Sequence, residues 1–83
     1  MIKIEVLGPG CYNCHLLEEA AREAVQMAGV EAEVVKVTDY ASIAAYRVLH
    51  TPGLVIDGRV VSAGRIPAAA DIAQWLTASQ VRA

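Results

Sequence analysis

The sequence contains no phenylalanine and few other aromatic residues. Aromatic side chains make up 5% of its 83 residues, whereas apolar residues as a whole make up 55%. A chain this rich in apolar residues is foldable, and its core must be built from Ala, Val, Ile and Leu. The length allows one domain with a single modest core, and we expect residues 1–83 to form that domain.

Two further features are missing from the sequence: an excess of basic residues and a long hydrophobic run. Seven basic and nine acidic residues are scattered along the chain, which excludes the phosphate-binding stripe of nucleic-acid-binding proteins. No apolar run approaches the roughly 18 residues of a membrane span, and the first residues alternate apolar with charged, unlike a secretory signal. We therefore expect a cytoplasmic protein with neither a nucleic-acid nor a membrane partner.

Cysteine is also scarce, and the only two cysteines are Cys11 and Cys14. A disulfide between them closes a very short loop, for which the chain-entropy model gives about 2 kcal/mol at most. Such a bridge would not hold the fold together. In a reducing compartment, a Cys-x-x-Cys pair is more often catalytic or metal-binding.

Strand-like and helical segments alternate along the chain. β-branched residues alternating with charged ones favour strands, apolar residues at helical spacing favour helices, and Gly and Pro separate the segments. The sequence predicts a strand at Ile2–Leu7, a helix at 11–28, a strand at 31–37, a short helix capped by Thr38 or Asp39 and running to about Arg47, a hairpin at 54–61, and a closing helix with Pro67 in its first turn.

The order βαβαββα restricts the topology. The first strand-helix-strand unit requires a right-handed crossover between parallel strands. Asp57-Gly58 favours a type I′ turn, so the last two strands are expected to be antiparallel neighbours in the same sheet. The sequence thus predicts an α/β fold, with a mixed four-stranded sheet and helices on both faces.

The cysteine pair lies where the first strand gives way to the first helix. Unpaired N–H groups and the helix dipole favour an anion there, and placement in a Cys-x-x-Cys motif at a helix N-terminus lowers the pKa of a thiol, so Cys11 is expected to be nucleophilic. Cys14 lies one helical turn further along and is within reach to resolve a mixed disulfide at Cys11. Attack followed by resolution is thiol-disulfide exchange.

Several segments together resemble a known family. They are the strand Ile2–Leu7 leading into Cys11-Tyr12-Asn13-Cys14, the string Val37-Thr38-Asp39, the stretch from Tyr46 to Thr51-Pro52, and the hairpin around Asp57-Gly58. Over nearly its whole length the chain is similar to the small redox-active disulfide proteins of the thioredoxin superfamily. The resemblance implies a thioredoxin-like fold and a protein-disulfide oxidoreductase.

The resemblance also implies roles for individual residues. Cys11 would be the attacking thiol and Cys14 the resolving thiol of a redox disulfide. The Thr51-Pro52 bond would be cis and would pair with an extended substrate segment, although proline statistics alone favour trans. Tyr12 and Asn13, between the cysteines, would contact the substrate and tune the redox poise. Such a protein needs no cofactor, acts as a monomer on disulfide-containing proteins, and takes electrons from a separate reductase similar to thioredoxin reductase.

One acidic residue has two interpretations. Glu5 stands six residues before Cys11, the offset at which thioredoxins keep a buried acid that relays the proton of the resolving thiol. The resemblance thus makes Glu5 a candidate proton relay. From the strand pattern alone, Glu5 is an exposed carboxylate, solvated or paired across the sheet.

Two residues depart from the family pattern. Arg47 follows Tyr46 where the family tends to have glycine, so the end of the second helix is expected to be longer or differently capped. Gly10 precedes Cys11 where thioredoxins carry tryptophan, which removes a flat apolar contact used in docking partners.

Metal and haem sites are the alternatives to redox exchange. Cys11, Cys14 and His15 lie on one side of the predicted helix, and His50 is a possible fourth ligand, so a zinc module is the main alternative. A copper-binding domain also places Cys-x-x-Cys after its first strand, but the βαββαβ order of those domains fits poorly. Cys-Tyr-Asn-Cys-His matches the haem-attachment motif. However, four strand-like segments and the lack of an export signal disfavour a c-type cytochrome.

Overall fold

The computed structural model describes the backbone of residues 1–81 and the side chains of residues 1–78. The elements follow the predicted order βαβαββα. In chain order they are β1 (Ile2–Leu7), α1 (Tyr12–Ala28), β2 (Ala32–Val37), α2 (Tyr40–Ala45), β3 (Gly53–Ile56), β4 (Arg59–Ala63) and α3 (Ala69–Val81).

The four strands form one mixed sheet in the order β2-β1-β3-β4. β1 pairs in parallel with β2, as a strand-helix-strand unit requires. β3 then inserts antiparallel against the other edge of β1, and β4 folds back on β3. The hairpin turn is as predicted, because both of its central residues have positive φ angles, 49° at Asp57 and 82° at Gly58.

Helices α1 and α3 cover one face of the sheet. Alternation along β1 sends Ile2, Ile4 and Val6 to this face, where they form a buried cluster with residues of both helices. The α1 residues Leu17, Ala21 and Ala24 recur at helical spacing and are fully buried. In the part of the chain that the structure describes, no helix has the length and hydrophobicity that a bilayer crossing requires.

Helix α2 covers the opposite face of the sheet. Ile43 packs there against Leu7 and Val55 in a second, smaller core cluster, with Tyr46 and Val48 at its edge. The predicted arrangement, with helices on both faces, is therefore confirmed.

Three predicted helix boundaries are corrected by the backbone. Cys11 is the N-cap of α1 and not its first residue, because its backbone is extended, with φ −72° and ψ 169°. α2 ends at Ala45, two residues earlier than predicted, after starting at the N-cap Asp39. Pro67 precedes α3, which begins at Ala69 with its first turn bonded to the carbonyl of Ala68.

Arg47, which departs from the family pattern, lies just beyond the end of α2. Arg47 adopts φ 58°, the left-handed conformation that glycine takes most easily, and its N–H donates to the carbonyl of Ala44 at 2.8 Å. The expectation of a longer helix is wrong, since α2 stops before this residue. Arginine keeps the conformation at an energetic cost.

We expect Arg47→Gly to stabilise the protein. A left-handed conformation costs an L-residue about 1–2 kcal/mol, and the greater flexibility of unfolded glycine offsets about half of that. The free energy of unfolding in urea should therefore rise by roughly 0.5–1 kcal/mol. Arg47→Ala is the control, because alanine removes the side chain and keeps the strain. Equal stability of the Gly and Ala variants would show that the backbone at this residue is not strained.

Candidate active site

Cys11 caps the N-terminus of α1. Its Sγ accepts the N–H of Cys14 at 3.2 Å, and its carbonyl accepts the N–H of His15 at 3.1 Å. No acidic residue occurs in the first turn of the helix. When the sulfur of Cys11 is a thiolate, the N–H donor and the positive end of the helix dipole both stabilise its charge.

Cys11 and Cys14 form a disulfide, with their Cα atoms 5.0 Å apart. The two cysteines differ in exposure. Cys11 is exposed at the end of the helix, whereas Cys14 is only 6% exposed. A partner can therefore reach the sulfur of Cys11 far more easily than that of Cys14.

Gly8, at the end of β1, makes room for the sulfur of Cys14. A Cβ atom at Gly8 would overlap Cys14 Sγ, and Thr51 Cβ would lie 3.8 Å from the same point. The absence of a side chain at Gly8 thus lets the disulfide pack directly against the strand end. The same contact shows that the Thr51-Pro52 loop lies beside the cysteine pair.

The Thr51-Pro52 loop is fixed by β4 and its following turn. The Thr51-Pro52 bond is cis, as the family resemblance implies. The N–H of Gly64 donates to the carbonyl of Pro52 at 2.9 Å, and a Cβ at Gly64 would lie 2.9 Å from His50 Cβ. Glycine is therefore required on packing grounds at the residue that anchors this loop.

Four residues adjacent to the cysteines in sequence are exposed: Gly10, Tyr12, Asn13 and His15. Tyr12 is 75% exposed, and Asn13 is also exposed, so both can contact a bound protein. Gly10 has φ 96° and no atom within 4 Å of a Cβ position, which leaves open space before Cys11. His15 faces solvent and lies 3.3 Å from the carboxylate of Glu19.

Glu5 is buried, being only 8% exposed, so the interpretation as an exposed strand carboxylate is wrong. Its side chain shares the α2 face of β1 with Leu7. The carboxylate accepts the hydroxyl of Tyr46 at 2.9 Å and lies 3.7 Å from Lys3 Nζ. The hydrogen bond to Glu5 raises the pKa of Tyr46 above its usual value. A proton-relay role for Glu5 stays a prediction.

Glu18 carries a second buried carboxylate, which lies beside the cysteines on the side of the sheet that α1 covers. Glu18 is 9% exposed, and it lines a groove together with Cys11, Cys14 and Lys36. Lys36 Nζ lies 3.0 Å from one carboxylate oxygen, and Arg22 Nη2 lies 2.9 Å from the other. The hydrogen bond from Lys36, aided by that from Arg22 and opposed by burial, holds the pKa of Glu18 below its usual value.

Sequence reasoning missed four residues of this site. Gly8 and Gly64 carry no local signal for the site, because their close contacts with Cys14 and His50 exist only in the folded chain. Glu18 stands four residues after Cys14, so helical spacing was a signal that could have placed it on the cysteine face. The position of Lys36 beside Glu18 has no local signal, since it depends on how β2 pairs with β1.

The metal alternative gains no support from this arrangement. Among the described side chains of residues 1–78, no group of three or more His, Cys, Asp or Glu could hold a metal ion. His15 pairs with Glu19, and His50 packs against Gly64. The sulfurs of the two cysteines are bonded to each other.

Comparison with known proteins agrees with the geometry. A family model described as a thioredoxin domain matches residues 2–77. The thioredoxin of Methanothermobacter thermautotrophicus is 38% identical over 77 residues, which cover 93% of this chain and 100% of the relative. The thioredoxin of Methanocaldococcus jannaschii is 40% identical over 76 residues, covering 92% of this chain and 87% of the relative. The chain therefore belongs to the thioredoxin-domain family and is a thiol-disulfide oxidoreductase.

Proposed function

We propose that Cys11 is the attacking thiol and Cys14 the resolving thiol of this oxidoreductase, which reduces disulfides in other proteins. The observation that carries the assignment is the difference between the two sulfurs at one helix N-terminus. Cys11 is exposed and occupies the N-cap, whereas Cys14 is buried behind it. An incoming disulfide meets Cys11 first.

The reaction proceeds in two exchanges. The Cys11 thiolate attacks one sulfur of the substrate disulfide, forms a mixed disulfide and releases the other substrate sulfur as a thiolate. Cys14 then loses its proton and attacks Cys11 Sγ, and the bond from Cys11 to the substrate breaks. The substrate leaves as a dithiol after its two sulfurs take up protons, and the Cys11–Cys14 disulfide holds the oxidised state.

The substrate is proposed to be a protein with an accessible disulfide in an extended segment. The exposed Thr51 and the cis Pro52 lie beside the cysteine pair, and Tyr12 and Asn13, between the two cysteines, are also exposed. We propose that these four residues contact such a segment. A separate reductase in the cytoplasm would return the disulfide to the dithiol, without a cofactor held by this chain.

A redox titration of thiol alkylation tests the proposal. The purified, metal-free protein is equilibrated in glutathione buffers of graded potential, treated with an alkylating reagent and weighed by intact mass spectrometry. We expect both alkylation sites to disappear together at one potential, within the range of about −270 to −120 mV that related redox proteins span. Comparison of that potential with the redox potential of a given compartment also shows whether the protein donates or accepts electrons there.

Two results would contradict the proposal. Both thiols could remain alkylatable at every potential, which would exclude a reversible disulfide. Alternatively, zinc added to the reduced protein could protect both thiols from alkylation at equimolar amounts, with His50→Ala abolishing the protection. The second result would favour the metal module.

A further inference from the structure

Glu18 lies one helical turn from the resolving cysteine. Cys14 and Glu18 are four residues apart in α1, so their side chains are neighbours on one helix face, with Cβ atoms about 5–6 Å apart. Both are buried, at 6% and 9% exposure, and both line the same groove. A charge on Glu18 therefore acts on Cys14 at short range.

The two cations bound to Glu18 have different positions relative to Cys14. Lys36 reaches Glu18 from β2 and lines the groove that the cysteines border. Arg22 lies one further turn along α1, on the far side of Glu18 from Cys14. Since the hydrogen bonds from these cations keep the pKa of Glu18 low, its carboxylate is charged at neutral pH.

The titratable environment of Cys14 is small. The groove is lined by residues of α1, of β2 with the residue after it, and of the loop between β1 and α1, and the contribution of β1 is the uncharged Val6. It measures about 290 Å³, enough for several water molecules that can accept a proton. The charged or titratable groups that line it are Cys11, Tyr12, Cys14, His15, Glu18 and Lys36.

We propose that the Glu18–Lys36 ion pair controls how readily the Cys14 thiol gives up its proton, and thereby sets the rate of the resolving exchange. This inference rests on the proposed function of Cys14 as the resolving thiol. Glu18 and Lys36 are positioning residues, since they act through the charge they place beside Cys14. The proton leaves to water in the groove, and the resulting thiolate forms the bond to Cys11 Sγ as the substrate sulfur departs.

The two members of the pair act on Cys14 in opposite directions. The carboxylate of Glu18 disfavours a second negative charge at Cys14, and the ammonium of Lys36 offsets that repulsion. Removing the carboxylate should lower the pH at which Cys14 titrates by about one unit, and removing the ammonium should raise it by a similar amount. Glu5 lies on the other face of β1 and is expected to have a smaller influence.

The test measures the titration of Cys14 as the only cysteine. In a Cys11→Ser background, thiolate absorbance is followed against pH for the parent protein, Glu18→Gln and Lys36→Met. Serine keeps an N-cap acceptor at residue 11, so α1 retains its start. We expect the Cys14 titration to move down in Glu18→Gln and up in Lys36→Met.

A kinetic measurement follows the resolving step itself. With Cys11 intact, a mixed disulfide is formed with a model thiol, and its loss is timed below the pH at which Cys14 titrates. A shift of about one pH unit changes the thiolate fraction of Cys14 about tenfold, and the accompanying change in nucleophilicity offsets part of that. Glu18→Gln should therefore resolve the mixed disulfide about threefold faster, and Lys36→Met about threefold slower.

Glu23→Gln is the matched control, because Glu23 is an exposed acid on the same helix. It should leave both readouts unchanged. Shifts of the same sign in Glu18→Gln and Lys36→Met, or shifts no larger than in Glu23→Gln, would overturn the inference. Lys36 lies with its side chain 60% exposed on the edge strand β2, so Lys36→Met keeps the test available if Glu18→Gln folds poorly.

The outcome separates this inference from the proposed function. If the unmodified protein fails to form or resolve mixed disulfides, the roles of the cysteines are wrong. If it exchanges disulfides normally while the charge variants match the parent, the cysteine roles stand and the ion pair has no part in them.

Discussion

A Cys14→Ser protein is expected to stop after its first exchange and to accumulate as a mixed disulfide with its substrate. Cys11 remains at the N-cap, exposed and stabilised as a thiolate, so attack on a disulfide continues. No second thiol is then available to displace the substrate, because Cys11 and Cys14 are the only cysteines. Non-reducing mass spectrometry should show nearly equimolar adduct that a reductant releases.

The complementary Cys11→Ser protein should lose exchange altogether. Cys14 is buried and cannot meet a substrate disulfide, so the rate should fall to that of the reductant without protein. Serine preserves the helix cap, and the variant should unfold as one cooperative unit like the parent. Turnover by Cys11→Ser, or rapid turnover without adduct by Cys14→Ser, would reverse or remove the assigned roles.

Gly8→Ala is expected to damage both stability and exchange, although Gly8 makes no chemical contribution. The new Cβ would overlap Cys14 Sγ, so the sulfur or the end of β1 must move. Overpacking of this kind costs about 1–3 kcal/mol in the free energy of unfolding. The sulfur displaced from Gly8 should also meet Cys11 less readily, so disulfide formation in the redox titration should require a more oxidising buffer.

Gly29→Ala is the control that separates the effect of Gly8→Ala on stability from its effect on disulfide formation. Gly29 ends α1 with φ 65°, far along the chain from the cysteines, and nothing lies within 4 Å of its Cβ position. Alanine there should cost about 1 kcal/mol of stability through backbone strain alone, with an unchanged midpoint of disulfide formation. A midpoint equally altered in both variants would show that Gly8 affects the disulfide only through global stability.

Much of the fold follows from local patterns in the sequence. The alternation at Ile2–Leu7, the spacing of Leu17, Ala21 and Ala24, and the Asp57-Gly58 turn each act over a few residues. These patterns predicted every element and the order βαβαββα. Element ends were less certain, because a cap or a left-handed residue such as Arg47 depends on conformation and not on hydrophobicity.

Some features of the active site likewise follow from local sequence patterns, and others do not. The Cys-x-x-Cys motif is local, so its placement at the start of a helix could be predicted from neighbouring residues. The burial of Glu5 could not, because the strand pattern does not show that Tyr46 closes over its carboxylate. Nor could the pairing of Lys36 with Glu18 be predicted, because the two residues meet across β2 and α1.

The sequence by itself determined the element order, the position of the dithiol at a helix N-terminus, and hence the kind of chemistry the protein performs. Only the tertiary structure decided which side chains surround that dithiol: Gly8 and Thr51 beside the sulfur of Cys14, and Glu18 with Lys36 in the groove. Short-range patterns fix local conformation. Contacts between residues far apart in the chain are fixed only when the sheet forms and brings strands and helices together.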